Sequence, residues 1–138
     1  MDEELIEIRE HTGSGYQPLV DFDSWRVAIL RWEQASLPEV IASMERHAQT
    51  DEVFVLLQGQ ATLILGGNSL TVESIQSLVI EPRKLYNVRR GVWHTVLLSR
   101  DASILIVENR DTGTENTEYC ILTGVLQQKI ISMRLVGE

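Results

Sequence analysis

Apolar and polar residues alternate in short runs along most of this chain, the two-residue period of half-buried strands. Residues 25–32 are rich in strand formers, and Ser36, Leu37 and Pro38 break the run. Residues 40–47 fit a strand, although residues 41–45 taken alone would pass for a helical turn. The apolar run at 52–57 and the run at 61–65 flank Gln58, Gly59 and Gln60, which predicts a hairpin with a glycine-containing turn. Gly66, Gly67 and Asn68 form a second turn, and further strands are expected at 69–75, 77–80, 92–98 and 103–108. Thr123 is placed to cap a short C-terminal helix running through Ile131. Before Trp25 the chain is acidic and then loop-like at Thr12, Gly13, Ser14 and Gly15. The expected organisation is an N-terminal arm over residues 1–24 and one β domain over 25–138. Short strands with turns about every 8–12 residues indicate an antiparallel sandwich or barrel.

Composition narrows the function. With 138 residues the chain is long enough for one proper core. Its formal net charge of −8 argues against nucleic acid and against an anionic membrane surface. The single cysteine, Cys120, excludes an internal disulfide and reads as an inert thiol in an apolar stretch. The acidic N-terminus does not look like a signal peptide, and no apolar run approaches the ~20 residues of a membrane span. A soluble, cytoplasmic protein is expected.

Histidine is scarce: only His11, His47 and His94 occur. Glu45 and His47, two apart in an extended strand, project to one face. Glu52 opens the next apolar run, and His94 lies where the turn at Gly91 leads into another strand. Two imidazoles and two carboxylates from neighbouring strands suit a divalent first-row metal such as Mn²⁺, Fe²⁺, Ni²⁺ or Zn²⁺. The competing reading of Glu45 is a solvent-facing charge beside Arg46. Trp93, adjacent to His94, should face the other side of its strand. Four basic residues, Arg83, Lys84, Arg89 and Arg90, fall within eight positions and form either a solvated loop or a guide for an anionic substrate. Of these Arg89, together with Tyr86, is the candidate for substrate binding. There is no nucleophile motif and no phosphate loop.

The spacing E-x-H-x(4)-E-x(6)-G, ending at Gly59, followed by G-x-x-H at Gly91 and His94, resembles the two motifs of the cupin family. Glu45 stands at the first histidine position, Arg89 at the proline and Leu98 at the asparagine, while Glu39 and Arg83 replace the opening glycines. The resemblance covers roughly residues 25–110. It implies a double-stranded β-helix, or jelly-roll barrel, with Glu45, His47, Glu52 and His94 converging inside it, and a homodimer covering exposed strand edges. It further implies a metal-dependent enzyme acting on a small polar metabolite such as a sugar, ureide or carboxylate. Whichever of Glu45 and Glu52 does not bind the metal is then the catalytic base. The alternative is a non-catalytic small-molecule binding or sensing module with a degraded metal site.

Overall fold

The computed structural model describes residue 2 and residues 4–133. Ten strands occur among them: β1 (Gly15–Phe22), β2 (Trp25–Arg31), β3 (Ser43–His47), β4 (Glu52–Gln58), β5 (Ala61–Leu65), β6 (Gln76–Val79), β7 (Tyr86–Val88), β8 (His94–Leu98), β9 (Ser103–Asn109) and β10 (Thr117–Ile121). One helix, α1 (Gly124–Ser132), follows them. The strands form two antiparallel five-stranded sheets, ordered β1-β2-β9-β4-β7 and β10-β3-β8-β5-β6. This is the expected cupin jelly roll, its two inner faces packed on each other.

Strict alternation sorts the side chains into two apolar layers. Inward-facing Ala28, Phe54, Leu56, Leu63, Ile104 and Ile106 belong to the cluster between the sheets. Met44, Ile64, Trp93 and Leu97 point the other way, onto Leu126 and Ile130 of α1. Trp93 therefore faces away from His94, as alternation requires; its Nε1 donates to the Ser69 carbonyl at 2.9 Å, and the Arg46 guanidinium lies 4.3 Å from the ring centroid. The Thr123 hydroxyl accepts from the Leu126 amide at 3.3 Å, the expected N-cap.

Several expectations are corrected. Residues 52–57 and 61–65 are not hairpin partners: β4 pairs with β9 and β7, whereas β5 pairs with β8 and β6. The chain changes sheet at residues 58–60 because β8 and β9 make the same change beside it. Ser99 accepts a hydrogen bond from the Gln60 amide at 2.9 Å, and the Ser99 amide donates to the Gln60 carbonyl at 2.9 Å. The two crossings thus satisfy each other's backbone, which a local hairpin would have done alone. Residues 69–75 hold no strand. Residues 15–22 are not part of an arm; β1 pairs along its length with β2 and forms the edge of the first sheet. The strands β7 and β10 were not anticipated.

Gly59 bears the sheet change. Its φ is +75°, and a Cβ there would lie 2.7 Å from the Ala102 Cα and 2.8 Å from the Ala102 amide nitrogen, neither of which can yield without moving β9. Gly59→Ala is therefore expected to cost at least ~1–3 kcal/mol, read as a lower urea midpoint at unchanged m-value. An unchanged midpoint would show that the crossing relaxes freely.

Candidate functional site

Four strands and one turn bring the sequence-predicted residues together. The two-residue period of β3 turns Glu45 and His47 inward while Met44 and Arg46 point outward. Thr117 on β10 lies opposite His47, and its hydroxyl is 2.9 Å from His47 Nδ1. His94 begins β8 immediately after a turn in which Gly91, at φ +81°, donates its amide to the His47 carbonyl at 2.8 Å. That bond ties the turn delivering one histidine to the strand carrying the other. Glu52 opens β4 on the facing sheet.

His94 Nδ1 lies 2.9 Å from the Val92 carbonyl. A carbonyl can only accept, so Nδ1 carries the proton and the neutral ring aims a lone pair from Nε2 into the barrel. Glu52 Oε1 stands 2.9 Å from His94 Nε2 and 3.5 Å from His47 Nε2. Glu45 Oε1 is more distant, at 3.8 Å from His47 Nε2 and 3.9 Å from His94 Nε2, and its side chain is 42% exposed. Both Nε2 atoms are buried and complete no hydrogen bond. With His47 in the same tautomer, its Nδ1 donating to the Thr117 hydroxyl, four acceptor atoms face one another, an arrangement that calls for a cation between them. Ligand atoms around an ion at ~2.0–2.2 Å lie about 3.0–3.5 Å apart, so His47, Glu52 and His94 fit a divalent metal, with Glu45 at its open side. The Nδ1 contacts to Thr117 and Val92 orient the rings from behind. Phe54 packs edge-on against His94, with ring centroids 6.1 Å apart.

Without an ion, a proton takes the same place. Burial would push Glu52 up and His94 down. The two histidines outweigh burial for Glu52 and hold it well below the usual carboxyl range, while Glu52 holds His94 above its ordinary value.

Sequence reasoning missed two residues. Glu108, on β9, is buried and together with His47 and Glu52 offers ligand atoms within 4.8 Å of one another. The signal was present: counting by two from inward-facing Ile104 and Ile106 reaches Glu108, but Leu105 and Val107 make both faces of that run apolar. Tyr16, on β1, donates its hydroxyl to the Glu108 carboxylate; it was hidden because residues 1–24 were assigned to an arm. Burial and neighbouring Glu52 push Glu108 up to about 8, and burial and Glu108 raise the Tyr16 phenol well above its ordinary range.

All of these groups line one cavity of about 440 Å³. Ser43, Thr95, Thr112, Thr114, Thr117 and Tyr119 add hydroxyls to its wall, and Leu30, Val96 and Ile106 add apolar surface. Tyr86 and Arg89 do not reach it. They line a separate cavity of about 240 Å³ with Leu63, Leu78 and Val92, because β7 is the far edge strand of its sheet. Of the basic cluster, Lys84 pairs with Glu81 at 2.6 Å and the Arg90 amide donates to Asp51 at 2.8 Å, the contacts of a surface loop. His11 is bonded to the Gly15 carbonyl at 2.8 Å, outside the site. Cys120 is half-buried, its Sγ 3.4 Å from the Val72 amide that donates to it.

Set beside known proteins, residues 8–128 match the model of the ureidoglycolate lyase family. The chain belongs to that family. It is 30% identical over 118 residues to the ureidoglycolate lyase of Pseudomonas savastanoi pv. phaseolicola, covering 81% of this chain and 69% of that protein. With the enzyme of Pseudomonas syringae pv. tomato it shares 29% over 98 residues, covering 67% of this chain and 58% of that protein, so the chain spans well under the full length of these relatives. Among solved structures it resembles Streptomyces PAC13 with uridine (TM-score 0.57, 10% identity, covering 86% of this chain and 87% of that one). It also resembles WlaRA, a TDP-fucose-3,4-ketoisomerase from Campylobacter jejuni (TM-score 0.53, 13% identity, covering 70% and 68%). At these identities the likeness is one of fold. This family member is a cupin enzyme for a small polar metabolite with a metal-competent His/Glu cluster.

Two measurements probe the cluster. Metal content of purified protein should fall to background in His47→Ala but only partly in Glu45→Ala, because Glu45 stands farther out; equal loss in both would make Glu45 a full ligand. In chelator-treated protein, stability should decline from about pH 5 to pH 8. The folded state keeps the Glu108 proton up to about 8, whereas the unfolded chain releases it near ~4.3. His94, raised, acts in the same direction above its unfolded pKa, while Glu52, lowered, loses its contribution only at much lower pH. The decline should be on the order of 3 kcal/mol and should flatten in Glu108→Gln. A flat profile in the parent protein would contradict the Glu108 assignment.

Proposed function

We propose that this protein is a metal-dependent cupin lyase that splits the carbon–nitrogen bond of a small hydroxylated ureide. The observation that carries this reading is the pair of buried, unbonded Nε2 atoms of His47 and His94 facing Glu52 inside a cavity of metabolite size. Membership in the ureidoglycolate lyase family supplies the reaction class. His47, Glu52 and His94 hold the divalent ion. The ion supplies a Lewis acid for the substrate's oxygen.

The chain's own groups handle the proton. Glu45, half-exposed at the open side, accepts the proton of the hydroxyl on the carbon that bears the ureido nitrogen. The O–H electron pair becomes the second bond of the new carbonyl. The carbon–nitrogen pair leaves with the nitrogen, which takes the proton back from Glu45, so an aldehyde and a urea are released. Phe54, Val96 and Ile106 shield one side of the cavity from water. A homodimer and a cytoplasmic setting belong to this reading: β6 is an edge strand exposed along its whole length, with Val79 66% exposed, and such an edge needs cover. No helix among the described residues is long and apolar enough to cross a membrane.

The metal-loaded protein should release urea and glyoxylate from ureidoglycolate. Chelation should abolish this release and added Mn²⁺, Fe²⁺, Ni²⁺ or Zn²⁺ should restore it. Glu45→Gln should lower kcat by about 10²–10⁴-fold while leaving most of the metal in place. A metal-replete protein without urea release would overturn the lyase reading.

A further inference from the structure

We infer that Glu108, braced by Tyr16, is the subsite that recognises the N–H groups of the substrate's ureido end. This deepens the lyase reading and rests on it for the identity of the ligand. Glu108 is 6% exposed, yet it lines the cavity within 4.8 Å of ligand atoms on His47 and Glu52. Such a group is costly to bury without hydrogen bonds. The Tyr16 hydroxyl donates one, and the Glu108 carboxyl shares a second with Glu52, which leaves acceptor capacity on its oxygens facing the cavity. A carboxyl oxygen accepts from N–H in either protonation state, and two N–H groups on one carbon match its two oxygens.

Charge points to the same ligand chemistry. Among the described residues, no arginine or lysine lines the cavity, while Glu45, Glu52 and Glu108 all do. Arg26, opposite Glu108 on β2, is paired with Asp21 and does not line the cavity, so the wall beside Glu108 favours a neutral donor over an anionic group. A ureido group is neutral, carries N–H donors on both nitrogens and is small enough for a cavity of about 440 Å³. Ile106, two residues before Glu108 on the same face of β9, lines the cavity beside it and lowers the local dielectric, which strengthens those hydrogen bonds. Tyr16 acts through Glu108: it fixes the carboxyl orientation and, together with the Glu52 contact, takes part of the acceptor capacity, leaving the remaining lone pairs for the ligand.

The test uses Mn²⁺-loaded full-length protein and two stable probes measured by calorimetry. Hydantoate carries the ureido group but lacks the reactive hydroxyl, and glycolate lacks the ureido group. Glu108→Gln should weaken hydantoate about tenfold or more, and Tyr16→Phe about threefold or more, the loss expected for one or two buried hydrogen bonds. Glycolate affinity and metal content should stay within twofold of the parent protein. Tyr16→Phe keeps the carboxyl group, so it remains informative if Glu108→Gln folds poorly. Hydantoate affinity within twofold of the parent in both variants would overturn the subsite, as would equal weakening of both probes with loss of metal, which would make Glu108 a ligand of the ion. Absence of hydantoate binding to the parent protein would overturn it too. Hydantoate binding that depends on Glu108, in a protein that does not split ureidoglycolate, would preserve the subsite and overturn the lyase reading. Splitting of ureidoglycolate with hydantoate binding indifferent to Glu108 would do the reverse.

Discussion

The Nε2 atoms of His47 and His94 each lie within 4 Å of one oxygen of Glu52 and one of Glu45, and both nitrogens are buried without a completed hydrogen bond. Mutual repulsion in a low-dielectric interior makes that arrangement unfavourable unless a cation is shared among them. The surrounding structure holds it in place regardless. Val92 and Thr117 fix the imidazole planes from behind, Gly91 links one histidine's turn to the other's strand, and Phe54 packs against His94. The barrel thus stores a charge requirement that a divalent ion meets best.

The rest of the architecture can be understood from what keeps those four atoms facing. Because β3 and β8 are neighbours in one sheet and β4 lies in the other, the site exists only while the two sheets stay in register across the core. The sheet-changing crossings at residues 58–60 and 99–102 set that register, and α1 closes the outer face of the second sheet over Trp93 and Met44. Alternation then does two jobs where the turn enters β8: His94 faces the cavity inside while Trp93, one residue earlier, packs outside.

The inner face of the first sheet grades from apolar to polar. Leu56, Ile104 and Leu30 lie at one end, and Glu52 and Glu108 at the other. The hydrophobic end stabilises the barrel, and the polar end lines the cavity, so a single sheet both anchors the fold and forms half the cavity wall. Burial among apolar neighbours is also what shifts the proton affinities of Glu108 and Tyr16, since it penalises their charged forms.

The β class, most strands, the capped helix, the opposite facing of Trp93 and His94, and the grouping of His47, Glu52 and His94 were legible in the sequence. Each follows from a local rule: two-residue alternation, turn chemistry at Gly59 and Gly91, an N-cap at Thr123, or motif spacing. Pairing across long separations was not legible. That β4 and β5 part company at Gly59, that β1 joins the sheet and carries Tyr16 into the cavity, and that Tyr86 and Arg89 face a different cavity all depend on which distant strand lies alongside. A strand's alternation states which residues share a face, but not what that face meets. Only the packing of two sheets decides that, and so Glu108 became part of the site through its neighbours rather than through its own surroundings in the chain.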